Sequence, residues 1–128
     1  MTIAFWCVLI AIFLPYVSTV LAKGLSKVFP PRNNHDPRAY LGSVEGVARR
    51  ANNAQLNGFE VTPAFAAAVI IAHLAGGAQQ SVIDQLAIAF IISRILYTAC
   101  YLADLAPVRS LMWFINMGLI ISLFVVAA

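Results

Sequence analysis

The feature that most constrains this chain is its four apolar stretches, each long enough to cross a hydrocarbon core, joined by one long and two short connections. Such a crossing takes about 20 residues at a rise of about 1.5 Å per residue. The stretches cover residues 2–22, 51–75, 82–105 and 110–128, and residues 23–49 form the long connection. Lipid offers no hydrogen-bond partner to backbone N–H and C=O groups, so spans of this length fold as helices, and short connections make neighbouring helices antiparallel. The expected fold is all-α, an integral membrane four-helix bundle making one domain over residues 1–128. Composition agrees, because 62% of the residues are hydrophobic and 10% are charged, against about 25% charged in a soluble domain. That balance excludes a disordered chain and a soluble globular one. The net charge of +3 does not point to nucleic acid, because the basic residues lie between apolar runs, as they do in the loops of membrane proteins.

The first span has no Lys or Arg before it and is longer than the apolar core of a signal peptide, so it is expected to persist as a helix. Pro15 within it removes one backbone hydrogen bond and introduces a kink, which a bundle tolerates where neighbours compensate. Lys23, Lys27, Arg32, Arg38, Arg49 and Arg50 lie in or beside the first connection and Arg109 at the third, whereas the second connection and both termini carry none. The positive-inside rule then places the first and third connections in the cytoplasm and both termini outside.

The long connection mixes Pro30, Pro31 and Pro37 with Asn33, Asn34, His35 and Asp36, all turn formers, and Gly42 and Gly46 loosen the approach to the second span. Its length favours a functional or lid role over a passive one. His35 and Asp36 have no second imidazole or thiol near them in sequence and His73 lies near the opposite face, so no metal site is expected. Cys7 and Cys100 fall on opposite sides of the membrane, too far apart to pair, and read as small apolar fillers.

The chemistry is expected inside the membrane. Arg50, Asn53, Asn57 and Glu60 are spaced by three, four and three residues, so they share one face of the second span, and Arg94, Tyr97 and Tyr101 share a face of the third. Counting from Arg50 and Leu105, Glu60 and Arg94 lie about 15 and 16 Å deep, Asn57 and Tyr97 about 10 and 12 Å, and Asn53 and Tyr101 about 4 and 6 Å. An unpaired ion near the midplane costs several kcal/mol, so an ion pair between Glu60 and Arg94, within one chain or between chains, is expected. Two roles fit these stripes. They can glue helices together, or they can line a cavity whose rim carries Arg50 and Arg109, where a small anionic solute would enter.

Arg50, Asn53, Gln55, Asn57, Glu60, Pro63 and Phe65, followed by Arg94, Tyr97 and Tyr101, resemble in order and depth the signature of the MAPEG family, membrane-associated proteins in eicosanoid and glutathione metabolism. Asn34-His35-Asp36-Pro37-Arg38 and the stretch from Tyr101 to Trp113 resemble bacterial members. The resemblance implies a homotrimer in the bacterial inner membrane, with both termini periplasmic and glutathione held between neighbouring subunits near the cytoplasmic side. It implies activity on lipophilic small molecules: conjugation of electrophiles, reduction of lipid hydroperoxides, or isomerisation of prostanoids. By position it implies glutathione contacts at Arg50, Asn53, Gln55, Asn57, Glu60, Arg94, Tyr97 and Tyr101, with Arg109 as the catalytic residue that favours the thiolate. Two positions depart from the pattern: Asn53 stands where many active members carry arginine, and Arg109 falls one residue later after Tyr101 than in the eicosanoid enzymes. The alternatives are a proton-coupled transporter subunit, in which a cation would be repelled by Arg94, and a silent homologue binding lipid or a partner protein.

Overall fold

A computed structural model describes residues 1–26 and 34–128 of the chain. Lys27, Pro30, Pro31, Arg32 and Asn33 of the long connection lie outside the described residues. The helices are α1 (Ile3–Leu25), α2 (Pro37–Ser43), α3 (Gly46–Ala75), α4 (Gln80–Leu102) and α5 (Ala106–Ala127). All but α2 are long and apolar enough to cross a membrane. At most 33% of the apolar window in any span is buried within the subunit. The rest of each span is at least partly open at the subunit surface.

Two differences from the sequence expectation lie in the long connection, and a third is that α5 begins at Ala106, which puts Arg109 on the helix and not in the connection before it. Asp36 and Pro37 begin a helix and not just a turn: Asp36 accepts a hydrogen bond from the Ala39 N–H at 3.1 Å and Pro37 follows at the first helical position. A carboxylate cap followed by proline is a helix start signal, since proline has no N–H to leave unpaired there. Leu41 of α2 is buried with Ala22 of α1 and Ala51 of α3, which docks this helix against the basic end of the bundle. The second span also begins earlier than residue 51. Gly46, at φ 61°, opens α3 after a two-residue gap from the end of α2, so Arg49 joins Arg50 on the helix and is not in a loop.

Helices α3 and α4 form the centre of the bundle: each packs against α1, α5 and the other. The α1–α3 seam is made of small residues. Ala4, Cys7, Ala11, Pro15, Ser18 and Ala22 are the buried residues of α1, and Ala51, Ala54, Gly58, Ala68 and Ala72 are among those of α3. Small side chains let two backbones approach closely, which is how membrane helices gain packing without a hydrophobic drive between them. At the middle of the core, Phe65 and Phe90 stack in parallel with centroids 3.8 Å apart.

Pro15 sits in this seam, and two α3 residues accommodate it. The proline has no N–H for the Ala11 carbonyl, and the Thr62 hydroxyl lies 3.2 Å from that oxygen, while also 2.7 Å from the Gly58 carbonyl. One hydroxyl proton thus serves an acceptor freed by the proline on the facing helix. Gly58 gives the ring its space, since a Cβ there would stand 2.7 Å from Pro15 Cγ.

Polar ties fix the remaining pairs. Ser93 donates to Asn116 Oδ1 at 2.9 Å and Asn116 donates to the Met112 carbonyl at 2.7 Å, joining α4 to α5 where both side chains are buried. At the end opposite the basic one, Asp84 accepts from the Ala4 N–H at 2.8 Å and from Gln80 at 2.9 Å, and His73 Nδ1 is 2.8 Å from Gln80 Oε1. A carboxylate there takes up an N–H that the first turn of α1 cannot satisfy itself.

Gly58→Val is expected to lower stability by about 1–3 kcal/mol through overpacking against Pro15. Thr62→Val should cost less, about 1 kcal/mol, as an interhelical membrane hydrogen bond does. Thermal unfolding of both variants in one detergent checks the ranking; a Thr62→Val loss exceeding that of Gly58→Val would contradict it.

Candidate functional site

α3 packs directly on α4, and the stripes predicted on the two helices meet at Arg94 and Asn57. Their partners are offset by one layer. Arg94 donates from Nη1 to Asn57 Oδ1 at 3.0 Å, and Asn57 donates from Nδ2 to Glu60 Oε2 at 3.3 Å. Glu60 and Arg94 are therefore joined through the Asn57 amide; among the described residues they form no direct ion pair. The long arginine side chain reaches along the helix toward the basic end, as such chains do to approach polar surroundings. Its guanidinium also lies over the Tyr97 ring, 4.4 Å from the centroid, and the residue is only 4% exposed. Glu60, by contrast, is exposed on the outside of the subunit.

The ladder continues toward the basic end. Tyr97 meets Tyr101 edge-on with centroids 5.6 Å apart, and the Arg109 guanidinium of α5 lies 4.5 Å from the Tyr101 centroid. Two adjoining phenol rings are thus flanked by two cations, each guanidinium facing the electron-rich face of a ring. Beside the ladder is an open cleft of about 280 Å³. Asn57 enters it from α3, Tyr97 and Tyr101 from α4, and Arg109, Ser110, Trp113 and Phe114 from α5.

The other residues singled out in the sequence occupy different surroundings. Asn53 is half-buried on α3, one turn nearer the basic end than Asn57. Gln55 is half-buried too, and its Oε1 is buried with no hydrogen-bond partner. Arg50 does not line the cleft. Its Nε and Nη2 both donate to the Leu102 carbonyl, at 3.3 and 3.2 Å, and Nη1 is 3.9 Å from Asp104 Oδ2.

Sequence reasoning missed Ser110, Trp113 and Phe114 as cleft residues. The available signal was spacing: Trp113 and Phe114 stand four residues after Arg109 and Ser110, so both pairs lie on one side of α5. A tryptophan near the membrane surface equally fits an interfacial belt, which obscures that signal.

The MAPEG family model matches residues 3–128. The chain belongs to the MAPEG family. It is an integral, multi-pass membrane protein of a family associated with eicosanoid and glutathione metabolism. Among curated proteins, none matches the chain.

Asn57→Leu removes both the acceptor for Arg94 and the donor for Glu60. A hydrogen bond to a charged group contributes about 1.5–3 kcal/mol, and a loss of that size is expected in thermal unfolding. An unchanged melting curve would mean that Arg94 is held by other groups.

Proposed function

We propose that this MAPEG protein is a glutathione transferase acting on lipophilic electrophiles, assembled as a homotrimer with glutathione held between neighbouring subunits. The observation that carries this reading is the Glu60 carboxylate. It is exposed on the outside of the subunit, within a membrane-spanning helix and tethered by Asn57. A charge facing lipid at that depth costs several kcal/mol. A neighbouring subunit covering this face, together with a ligand that brings an ammonium group, would remove that penalty.

Glutathione carries one ammonium, two carboxylates and a thiol. Glu60 suits the ammonium; Gln55, Asn57, Arg94, Tyr97 and Tyr101 supply the donors and acceptors for the tripeptide's carboxylates and amides. The unfilled Gln55 Oε1 supports a role beyond packing, because a buried acceptor without a donor is costly in the subunit alone. Arg109 stands on the Tyr101 ring at the cleft. A free thiol has a pKa of about 8.5, and a neighbouring guanidinium favours the thiolate, which is the nucleophile. The lipophilic substrate reaches the cleft from the bilayer past Trp113 and Phe114. In this reading the basic end faces the cytoplasm of a bacterial inner membrane and both termini lie in the periplasm. The link from Glu60 to Arg94 disfavours a proton-coupled exporter, since a cationic cargo would meet the arginine.

The test is an ultraviolet titration of thiolate on adding glutathione to the solubilised protein, with Arg109→Ala alongside. The native protein is expected to give a saturable thiolate band at neutral pH. Because Arg109 lowers the thiol's pKa, its activity should hold as pH falls below the free-thiol value. Arg109→Ala should lose the band and shift the acid limb of kcat/KM up toward about 8.5. Absence of a thiolate band in the native protein would contradict the reading.

A further inference from the structure

Arg50 has a role that the cleft does not need for binding. The turn from α4 to α5 is closed by a Leu105 N–H to Cys100 carbonyl bond of 2.9 Å and an Asp104 N–H to Tyr101 carbonyl bond of 3.2 Å. Those two bonds define a Schellman motif, whose left-handed position is normally filled by glycine. Here it is filled by Asp104 at φ 61°, a conformation that a residue with a Cβ adopts reluctantly. The motif leaves the Leu102 carbonyl without an intrahelical partner, and Arg50 of α3 supplies two donors to it while placing Nη1 3.9 Å from the Asp104 carboxylate.

α5 starts from this turn. The Arg109 N–H donates to the Leu105 carbonyl at 2.9 Å, so Arg109 lies one helical turn beyond the motif. Farther along, α5 is pinned to α4 by Ser93 and Asn116. Arg109 and Trp113 therefore lie between two fixed points, one of which is held by Arg50. We propose that Arg50 is a positioning residue: by clamping the Leu102 carbonyl and the left-handed Asp104 it sets the path on which α5 leaves α4, and so the placement of Arg109 over Tyr101. The consequence for thiolate chemistry rests on the transferase reading above; the consequence for the position of α5 does not.

The test uses Arg50→Met, Asp104→Gly and the double variant, all in a Trp6→Phe background that leaves Trp113 as the lone tryptophan. Arg50→Met is expected to shift Trp113 emission and acrylamide quenching, and to lower kcat on the order of tenfold, as small misplacements of a reacting group do. KM for glutathione should stay nearly unchanged, since no binding contact is removed. Asp104→Gly alone should leave both readouts near native, because glycine adopts the left-handed turn without help. In the double variant it should recover most of the Trp113 signal and of kcat. A rise in KM with kcat and Trp113 emission unmoved would overturn the proposal and make Arg50 a ligand contact; failure of glycine to rescue would overturn it too. If the native protein proves inactive with glutathione while Trp113 still shifts and is rescued, the transferase reading falls and the positioning role stands. Should Arg50→Met not fold, Arg50→Lys keeps the charge with a single donor group; a partial Trp113 shift supports the proposal and a pure KM effect overturns it.

Discussion

A guanidinium cannot be neutralised at any ordinary pH, and Arg94 carries one into the interior of a membrane bundle at 4% exposure. The structure around it follows from that constraint. Asn57 accepts its proton-bearing edge and passes the interaction on to Glu60, while Tyr97 covers its face. These partners come from two different helices, so α3 and α4 must adjoin with their polar stripes in contact. Once they do, Tyr101 and Arg109 extend the ladder to the basic end, and the cleft opens beside it, walled by residues of α5.

The seam between α1 and α3 supports this arrangement from behind. The void-poor packing of Pro15 against Gly58 brings α1 close to the same stretch of α3 that presents Asn57, and Pro15, Gly58 and Thr62 border the same small space as Arg94. A proline that would otherwise weaken α1 thereby becomes part of the wall behind the buried cation. At the opposite end, Asp84 joins α4 to the first turn of α1, while at the basic end Arg50 joins α3 to the last turn of α4.

Much of this was legible in the sequence, for identifiable reasons. The spans could be read because lipid allows a backbone of that length only one form, and the facing stripes because three- and four-residue spacing fixes a helix face. The depth count placed Glu60 level with Arg94 but treated side chains as points; the arginine's length carries its charge about one turn down, to Asn57. Asp36-Pro37 fits a turn as well as a helix start, because the same two residues serve both. Trp113 and Phe114 could not be told from lipid-facing residues, since both surroundings select apolar side chains. Arg50 is expected at the rim of the cavity but does not line the cleft; its partner, a main-chain carbonyl at the end of α4, leaves no trace in side-chain patterning.

The central proposal is that the cleft beside the α3–α4 seam binds glutathione with its thiol ionised beside Arg109, the thiol proton passing to the buffer. The most direct measurement is isothermal titration of the solubilised protein with glutathione and with S-methylglutathione, in buffers of differing ionisation enthalpy. The account predicts saturable binding of both ligands, with a buffer-dependent heat for glutathione alone, because only its thiol can release a proton. Absence of saturable heat for either ligand, or an identical buffer dependence for the two, would contradict it.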